Sequence, residues 1–463
     1  MNKLFFRFWH KTRGSVFFWG VFFIILYSCF SLVNTLKSPD DFFSPPDSLN
    51  ANLFWLIIYL SSFVSYILFL YFFLKYRDLK KNDLKWGFVF TALFSVIFIA
   101  IHAIGSADLY AYHFFAEVYN THQQNPYHFY FNEFSDDQVF TKIQDFWHNY
   151  KSWHKTGYGP LFTLISIILN LLAGQDMSIS IYLYKSLTAL CVMGGAVVLY
   201  KIVEIVHPHK AVLLTFAFMW NPFLLFEAVN NGHNDAIVLF LNLLAIYLLI
   251  KGKYLWVLPI VVSSVLIKYI TVLFIPFFVF YIFRREKTLI FWAKTSLICA
   301  AITLSSSLLF LSKNASIVDS LFEQIGFTAP YWFYLGTMPL AAKLLEIYFG
   351  FDLLILKNIL GFCFLVFWLY LFFIKRTDQY YLSGILFVVI IAFFMIALFW
   401  VQPWYFLWVF PFPLIFARDN WLILMILTTM TGILCYFIPV GILLLISLII
   451  YIYIKRKNET LSI

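Results

Sequence analysis

Polar side chains that could carry out chemistry are concentrated in four short stretches of an otherwise apolar sequence. The first stretch, GSADLYAYHFFAEVY, follows an apolar run and contains Asp108, with Tyr110, Tyr112 and His113 close behind it. A carboxylate held near a membrane surface could act as a general base towards a hydroxyl group. The same aspartate could instead cap a helix or lie in a solvated loop. Its position alone leaves both interpretations open.

The second stretch contains two turn signals, NPYHFYF at 125–131 and WHKTGYGPL at 153–161. Asn125 and Tyr158 belong to these turns, which are of the kind that hold a loop in place. Aromatic and imidazole groups there could stack on a sugar ring, or they could simply anchor the loop at the membrane interface. Half of the ten histidines lie between 106 and 159, but their spacing matches no standard metal motif, so we predict no metal site.

The third stretch is WNPFLLFEAVNNGHNDAIVLF, in which Asn221-Pro222 predicts a helix kink. The polar residues that follow the kink are Glu227, Asn230, Asn231, His233, Asn234 and Asp235. One of the last two could cap the next helix. Capping does not explain so dense a polar set between two apolar segments. The density of polar side chains favours a pocket for a hydroxylated ligand.

The fourth stretch is SVLIKYITV, where Lys268 interrupts about thirty apolar residues. A single helix of that length would measure roughly 45 Å against a hydrocarbon core of about 30 Å. The flanking sequences KGK and RREK are both basic and should share one side of the membrane. We therefore predict two short helices broken near Lys268, which could bind a phosphate or extend towards water.

The composition places these stretches in a membrane protein. Of 463 residues, 62% are hydrophobic and 12% are charged, with a mean hydropathy of +0.85. A soluble domain has about 25% charged residues, so this chain has too few charged residues to cover a water-exposed surface. The net charge of +9 comes from short basic clusters between apolar runs, which is the positive-inside pattern and does not favour nucleic-acid binding.

The apolar runs predict an all-α, polytopic transmembrane bundle with about 14 crossings and both termini in the cytoplasm. Residues 106–159 form the longest polar segment and should be an external loop, while 161–173 should re-enter the membrane or lie shallow. The predicted crossings include two within 254–283; the others are 16–36, 53–74, 87–105, 181–203, 211–228, 236–250, 289–311, 352–374, 381–400, 404–417, 421–437 and 440–454.

In their order, these motifs resemble membrane glycosyltransferases of the GT-C superfamily. The greatest likeness is to mannosyltransferases that take sugar from a polyprenyl phosphate, such as the catalytic subunit of the first GPI mannosyltransferase and its bacterial counterparts. The matching elements are SADLYAYHF, NPY, YGPL, WNP with NNGHND, LIKY, and VQPWYFLWVFPFPL at 401–414. The resemblance divides the chain into two N-terminal transmembrane helices (1–86), to which we assign no role, a GT-C-like core (87–418) and a C-terminal transmembrane hairpin (419–463).

The resemblance implies that Asp108 is the base that deprotonates the acceptor hydroxyl in an inverting attack. Lys268 would neutralise the phosphate of the leaving group. One acid stands where some relatives have two, so a metal-independent monophosphate donor and no cofactor are expected. The resemblance implies a substrate-binding role for Asn231, His233, Asn234, Asp235, Gln402 and Trp404, besides Lys268. From the first two stretches, Tyr110, His113, Asn125 and Tyr158 are also predicted to bind substrate.

The sequence thus predicts transfer of a hexose, expected to be mannose, from a polyprenyl-phosphate donor to an external glycan or lipid acceptor. A bacterial cytoplasmic membrane, with the active site on its external face, is the expected location. Three alternatives stay open: an O-antigen-type polymerase or ligase, a transporter, and a scaffold without catalytic activity. The late segment 312–350 lacks the arginine and histidine expected of the first, and no inverted repeat supports the second.

Overall fold

The computed structural model describes 15–35, 49–76, 78–101, 103, 106, 108–129, 131–134, 136–137, 140, 156–311, 334–373, 379–417 and 420–460. Within these ranges every regular element is a helix, which confirms the predicted all-α class. Parts of the predicted external segments, at 141–155 and 312–333, lie outside the described residues.

The chain divides into two compact units, and the first comprises Met1–Phe240, Leu266–Lys268 and Thr303–Ser320. Its helices begin with α1 and α2, which correspond to the two N-terminal apolar runs. In order they are α1 Val16–Thr35, α2 Leu49–Lys75, α3 Asp83–Ala100, α4 Asp108–Asn120, α5 Pro160–Leu172, α6 Met177–Val206, α7 Ala211–Met219 and α8 Pro222–Leu224. A π-helical turn, Leu225–Asn230, follows α8 directly.

The second unit comprises Leu241–Val265, Tyr269–Ile302 and Leu321–Ile463. Helices α9, α10 and α12 each contain a boundary between the units. From α9 onwards the helices are α9 Asp235–Ile250, α10 Tyr254–Ile267, α11 Ile275–Phe283, α12 Leu289–Ser307, α13 Thr337–Phe349, α14 Leu353–Phe373, α15 Gln379–Ile396, α16 Phe412–Phe416, α17 Trp421–Leu434 and α18 Val440–Thr460.

Five helices in the described residues are long and apolar enough to cross a membrane. They are Ile57–Lys75, Asp83–Ala100, Met177–Val206, Leu289–Phe310 and Leu353–Phe373; the bent pair Pro208–Met219 and Pro222–Asn230 would be a sixth. The predicted total of about 14 is not confirmed, because the other apolar helical segments among the described residues have only 10–17 residues. Helix α10, for instance, has 14 residues, or about 21 Å against a core of about 30 Å.

A cluster of aromatic rings packs α1, α2 and α3 around the end of α7. The buried indole of Trp220 lies with its ring centroid 5.9 Å from that of Phe23, 4.9 Å from Phe69 and 5.5 Å from Phe94. Its Nε1 donates a hydrogen bond to the carbonyl of Gly87 at 3.2 Å. Edge-to-face ring pairs contribute about 0.5–1.5 kcal/mol each beyond burial. This packing fixes the residue that precedes the Asn221-Pro222 turn.

Candidate active site

Asp108 is the first residue of α4, where the helix dipole favours a negative charge. Its side chain is 18% exposed, whereas the neighbouring His233 is fully buried. The two side chains face each other, with Asp108 Oδ2 3.4 Å from His233 Nδ1. The site therefore presents a carboxylate that solvent or a ligand can reach, with a buried imidazole behind it.

A second carboxylate lies on the other side of the same imidazole. Glu227 Oε2 is 3.6 Å from His233 Nε2, and both side chains are fully buried. Tyr59 on α2 donates its hydroxyl hydrogen to Glu227 Oε1 at 3.1 Å, and Asn231 Nδ2 donates to Glu227 Oε2 at 3.0 Å. A line of contacts thus runs from Tyr59 through Glu227 and His233 to Asp108.

The backbone between 221 and 235 turns twice to make these contacts. Asn221 Oδ1 accepts a hydrogen bond from the Phe223 amide at 2.9 Å, and the helix bends there by 43°, which confirms the predicted kink. The π-helical turn Leu225–Asn230 follows, a type of turn that recurs at functional sites. Gly232 then has a φ of +63°, and a Cβ there would lie 2.6 Å from Leu109 Cδ2.

The fourth predicted stretch contributes an ion pair. Lys268 Nζ lies 2.8 Å and 2.9 Å from the two carboxylate oxygens of Asp235, which is fully buried, while the lysine side chain is 14% exposed. Helix α10 ends at Ile267 and a 3₁₀ helix begins at Tyr269, so the predicted break at Lys268 is confirmed. The lysine is held by a carboxylate instead of extending towards water.

The side chain of Asn234 has a different environment from that of Asp235. Its amide oxygen and nitrogen are buried without a hydrogen-bond partner among the described residues. Only its main chain contributes to the start of α9, where its carbonyl accepts from the Ile237 amide at 2.9 Å. The observed contacts therefore do not support the alternative in which the Asn234 side chain caps the helix, and the amide is a candidate ligand group.

The YGP turn fixes the segment that contains Lys268. The Gly159 amide donates to the Ile267 carbonyl at 3.1 Å, and a Cβ at Gly159 would lie 2.2 Å from the Leu266 carbonyl oxygen. Glycine is required because the two backbones touch. The preceding residue, Tyr158, places its ring edge-to-face against Tyr112, with centroids 5.0 Å apart.

Tyr112 connects α4 to the polar stretch that follows the π-helical turn. Its hydroxyl oxygen accepts a hydrogen bond from the backbone N–H of Asn234 at 3.4 Å. Burial is the main cause that raises the pKa of Tyr112 well above its usual value, with contributions from Tyr158 and from the Asp108 and Asp235 carboxylates. The phenol therefore stays neutral and remains a hydrogen-bonding group throughout the physiological pH range.

The C-terminal end of α3, which leads towards Asp108, is held by a buried lysine that sequence reasoning missed. Lys185 on α6 donates to the carbonyls of Phe98 and Ile101, and Asn230 Nδ2 donates to the same two oxygens at 3.2 Å and 3.4 Å. These donors satisfy carbonyl groups that have no partner within the helix at its C-terminus. The only signal in the sequence was a lysine within the apolar run 181–203.

Other predicted substrate-binding residues make internal contacts. His113 is fully buried, with Nδ1 3.2 Å from Asn170 Nδ2 and Nε2 3.7 Å from Glu117 Oε2. Asn125 donates from Nδ2 to the Phe310 carbonyl at 2.9 Å, which holds the NPY turn. Burial raises the pKa of Tyr110 to about 12. A binding role for these residues stays a prediction.

Gln402 and Trp404 belong to the second unit, where both are nearly buried. Gln402 precedes the 3₁₀ helix Pro403–Trp408, and the ring of Trp404 contacts that of Tyr405. Their predicted place beside the same cavity stays a prediction. Among the described residues, no group of three or more His, Cys, Asp or Glu side chains is arranged to hold a metal ion.

Comparison with known families decides the class of the protein. The model of the MptA_B family, described as alpha-(1->6)-mannopyranosyltransferase, N-terminal domain, matches residues 34–284, more than half of the chain. The chain belongs to this family. It is therefore a mannosyltransferase, and its apolar helices are those of a membrane protein. A comparison with curated proteins finds no match.

Membership of the mannosyltransferase family supports an enzyme over the transporter alternative. The matched range contains every residue of the contact line from Tyr59 to Asp108, together with the Asp235–Lys268 pair. It begins upstream of 87 and so includes α2, the second N-terminal apolar helix. Tyr59 had no signal in the sequence beyond its aromatic ring. Glu227 was predicted only as a member of the polar set that follows Asn221-Pro222, with no partner assigned to it.

Proposed function

We propose that this mannosyltransferase uses a polyprenyl-phosphate mannose donor and inverts the anomeric configuration, with Asp108 as the general base. The acceptor would be the hydroxyl of a glycan or glycolipid. The observation that carries the proposal is the partly exposed Asp108 carboxylate backed by the buried His233. A carboxylate that is reachable yet fixed in orientation is what removal of a hydroxyl proton requires.

In this mechanism the acceptor oxygen attacks the anomeric carbon of mannose from the side opposite the phosphate. The new carbon–oxygen bond forms as the bond to the phosphate oxygen breaks, and the hydroxyl proton moves to Asp108. Polyprenyl phosphate leaves with an additional negative charge. Lys268, held in place by Asp235, would stabilise that charge as it develops.

The description of the family suggests the linkage. An alpha-(1->6)-mannopyranosyltransferase joins mannose to a primary 6-hydroxyl group, and we propose the same bond for this protein. An inverting enzyme that makes an α-mannoside needs a donor whose phosphate is β-linked. The proposed donor is therefore a β-linked polyprenyl-phosphate mannose, and the proposed acceptor group is a primary 6-hydroxyl.

Purified protein in detergent is expected to extend an alkyl α-mannoside from polyprenyl-phosphate mannose and to leave its 6-deoxy analogue unmodified. The reason is that the 6-deoxy sugar lacks the attacking oxygen but keeps every other group. Radiolabelled product would be measured, with polyprenyl-phosphate glucose as the matched donor control. Equal labelling of the 6-deoxy analogue would exclude the proposed linkage, and preference for glucose would exclude the proposed donor sugar.

We also propose that the chain crosses a bacterial cytoplasmic membrane about 14 times, with the loop 106–159 outside. The short basic clusters between apolar helices support this orientation. Helices too short for the hydrocarbon core would be accommodated by local thinning of the bilayer and by flanking side chains that extend to the interface.

A charged cysteine reagent applied to intact cells is expected to label Gln124→Cys and not Lys80→Cys. Both positions are exposed, and the proposed topology places them on opposite sides of the membrane. The wild-type protein controls for reaction of its own five cysteines. Labelling of Lys80→Cys alone would place Asp108 in the cytoplasm and overturn the orientation.

A further inference from the structure

We infer that Glu227, fixed by Tyr59 and Asn231, is a positioning residue for mannosyl transfer that acts through His233 on Asp108. The inference rests on the proposed function, since it takes Asp108 as the base. It assigns a part in the reaction to α2, the second N-terminal helix, which contributes Tyr59.

The first argument is the energetic cost of Glu227. A fully buried carboxylate loses its hydration, and this loss is only partly recovered by hydrogen bonds. Replacing such a group with an apolar residue of similar size is often neutral or stabilising. Folding alone therefore gives little reason for a glutamate at this place in the π-helical turn.

The second argument is the arrangement of its neighbours. Each carboxylate oxygen of Glu227 has its own donor: Tyr59 at 3.1 Å on Oε1 and Asn231 at 3.0 Å on Oε2. These two donors hold the carboxylate in one orientation, with Oε2 directed at His233 Nε2, 3.6 Å away. The backbone adds a further tie, because the His233 amide donates to the Glu227 carbonyl at 3.3 Å.

The third argument is the geometry of the imidazole. Its two nitrogens face different carboxylates, Nδ1 towards Asp108 at 3.4 Å and Nε2 towards Glu227 at 3.6 Å. The partner of one ring nitrogen sets which nitrogen carries the proton and how the ring is turned. Glu227 thereby sets whether the imidazole nitrogen that faces Asp108 carries a proton when Asp108 deprotonates the acceptor. The same logic applies wherever a third group orients a catalytic base.

The test uses Tyr59→Phe, which removes the distal hydroxyl and keeps the ring. We expect kcat for polyprenyl-phosphate mannose to fall about tenfold with KM unchanged, since a slight misplacement of a catalytic group has effects of this order. Tyr66→Phe is the matched control, because Tyr66 lies on the same helix, is fully buried and donates its hydroxyl hydrogen elsewhere, to the Ala217 carbonyl. It should leave kcat unchanged.

A second comparison distinguishes positioning from a structural role. In a His233→Gln background, Tyr59→Phe should cause no further loss of kcat, because its effect passes through the imidazole. A normal kcat for Tyr59→Phe, or the same tenfold loss in both backgrounds, would overturn the inference. If Asp108 were not the base, the result would be different: Asp108→Asn would retain turnover, whatever the effect of Tyr59→Phe.

Discussion

Asp108→Asn is expected to lower kcat for mannosyl transfer by about 10²–10⁴-fold, the usual contribution of a positioned general base. The amide keeps the size of the side chain and is well tolerated at a helix N-terminus, so the fold should persist. It cannot accept the hydroxyl proton as the new glycosidic bond forms. Turnover of the alkyl α-mannoside and the thermal unfolding midpoint would be measured on the same preparation.

The chain offers a matched control for this substitution in Asp137→Asn. Asp137 is also an aspartate beside a histidine, with Oδ2 2.7 Å from His122 Nε2, but it lies outside the contact line from Tyr59 to Asp108. Its replacement should leave kcat within about twofold, as expected of a side chain away from the reacting atoms. If Asp108→Asn turned over as fast as Asp137→Asn, another group would have to be the base.

Lys268→Met is expected to destabilise the protein by about 3–5 kcal/mol, because it leaves the buried Asp235 carboxylate without its ammonium. Unfolding of the purified protein in detergent, followed by tryptophan fluorescence, would measure the loss. Lys343→Met is the control: the Lys343–Glu346 pair is about one-third exposed, so its loss should cost at most about 1 kcal/mol. Equal stability of both variants would show that the buried pair contributes little.

The double variant Asp235→Asn/Lys268→Met separates folding from phosphate binding. Removing both charges should restore most of the lost stability, since the penalty comes from one uncompensated charge. Turnover should stay low, because no cation then meets the developing charge on the phosphate. Recovery of both stability and turnover would make the pair purely structural and would remove Lys268 from the mechanism.

Features that depend on short segments could be predicted from the sequence. The composition of 62% hydrophobic and 12% charged residues indicates a membrane protein, since such a chain cannot cover itself with polar surface. The kink at Asn221-Pro222 follows from a proline that cannot continue a helix. The break at Lys268 follows from the length of the apolar run and from its two basic flanks. The motif order resembles the GT-C superfamily, and the family match confirms a mannosyltransferase.

The crossing count marks the limit of such reasoning. Hydropathy detects that a segment is apolar, but not whether it forms one straight helix or is interrupted by a turn. The run 404–417, predicted as one crossing, consists of a 3₁₀ helix at Pro403–Trp408 and the five-residue helix α16. Packing and local backbone geometry decide such interruptions.

Only the tertiary structure decided which polar groups meet. Asp108 and Asp235 are both aspartates that begin a helix, yet one stays partly exposed beside His233 and the other is buried against Lys268. Glu227 and Tyr59 lie 168 positions apart, and nothing near either residue in the chain indicates their hydrogen bond. Such pairings arise because a buried charged or polar group without a partner costs free energy. The partner is fixed by how whole helices pack, which no local pattern contains.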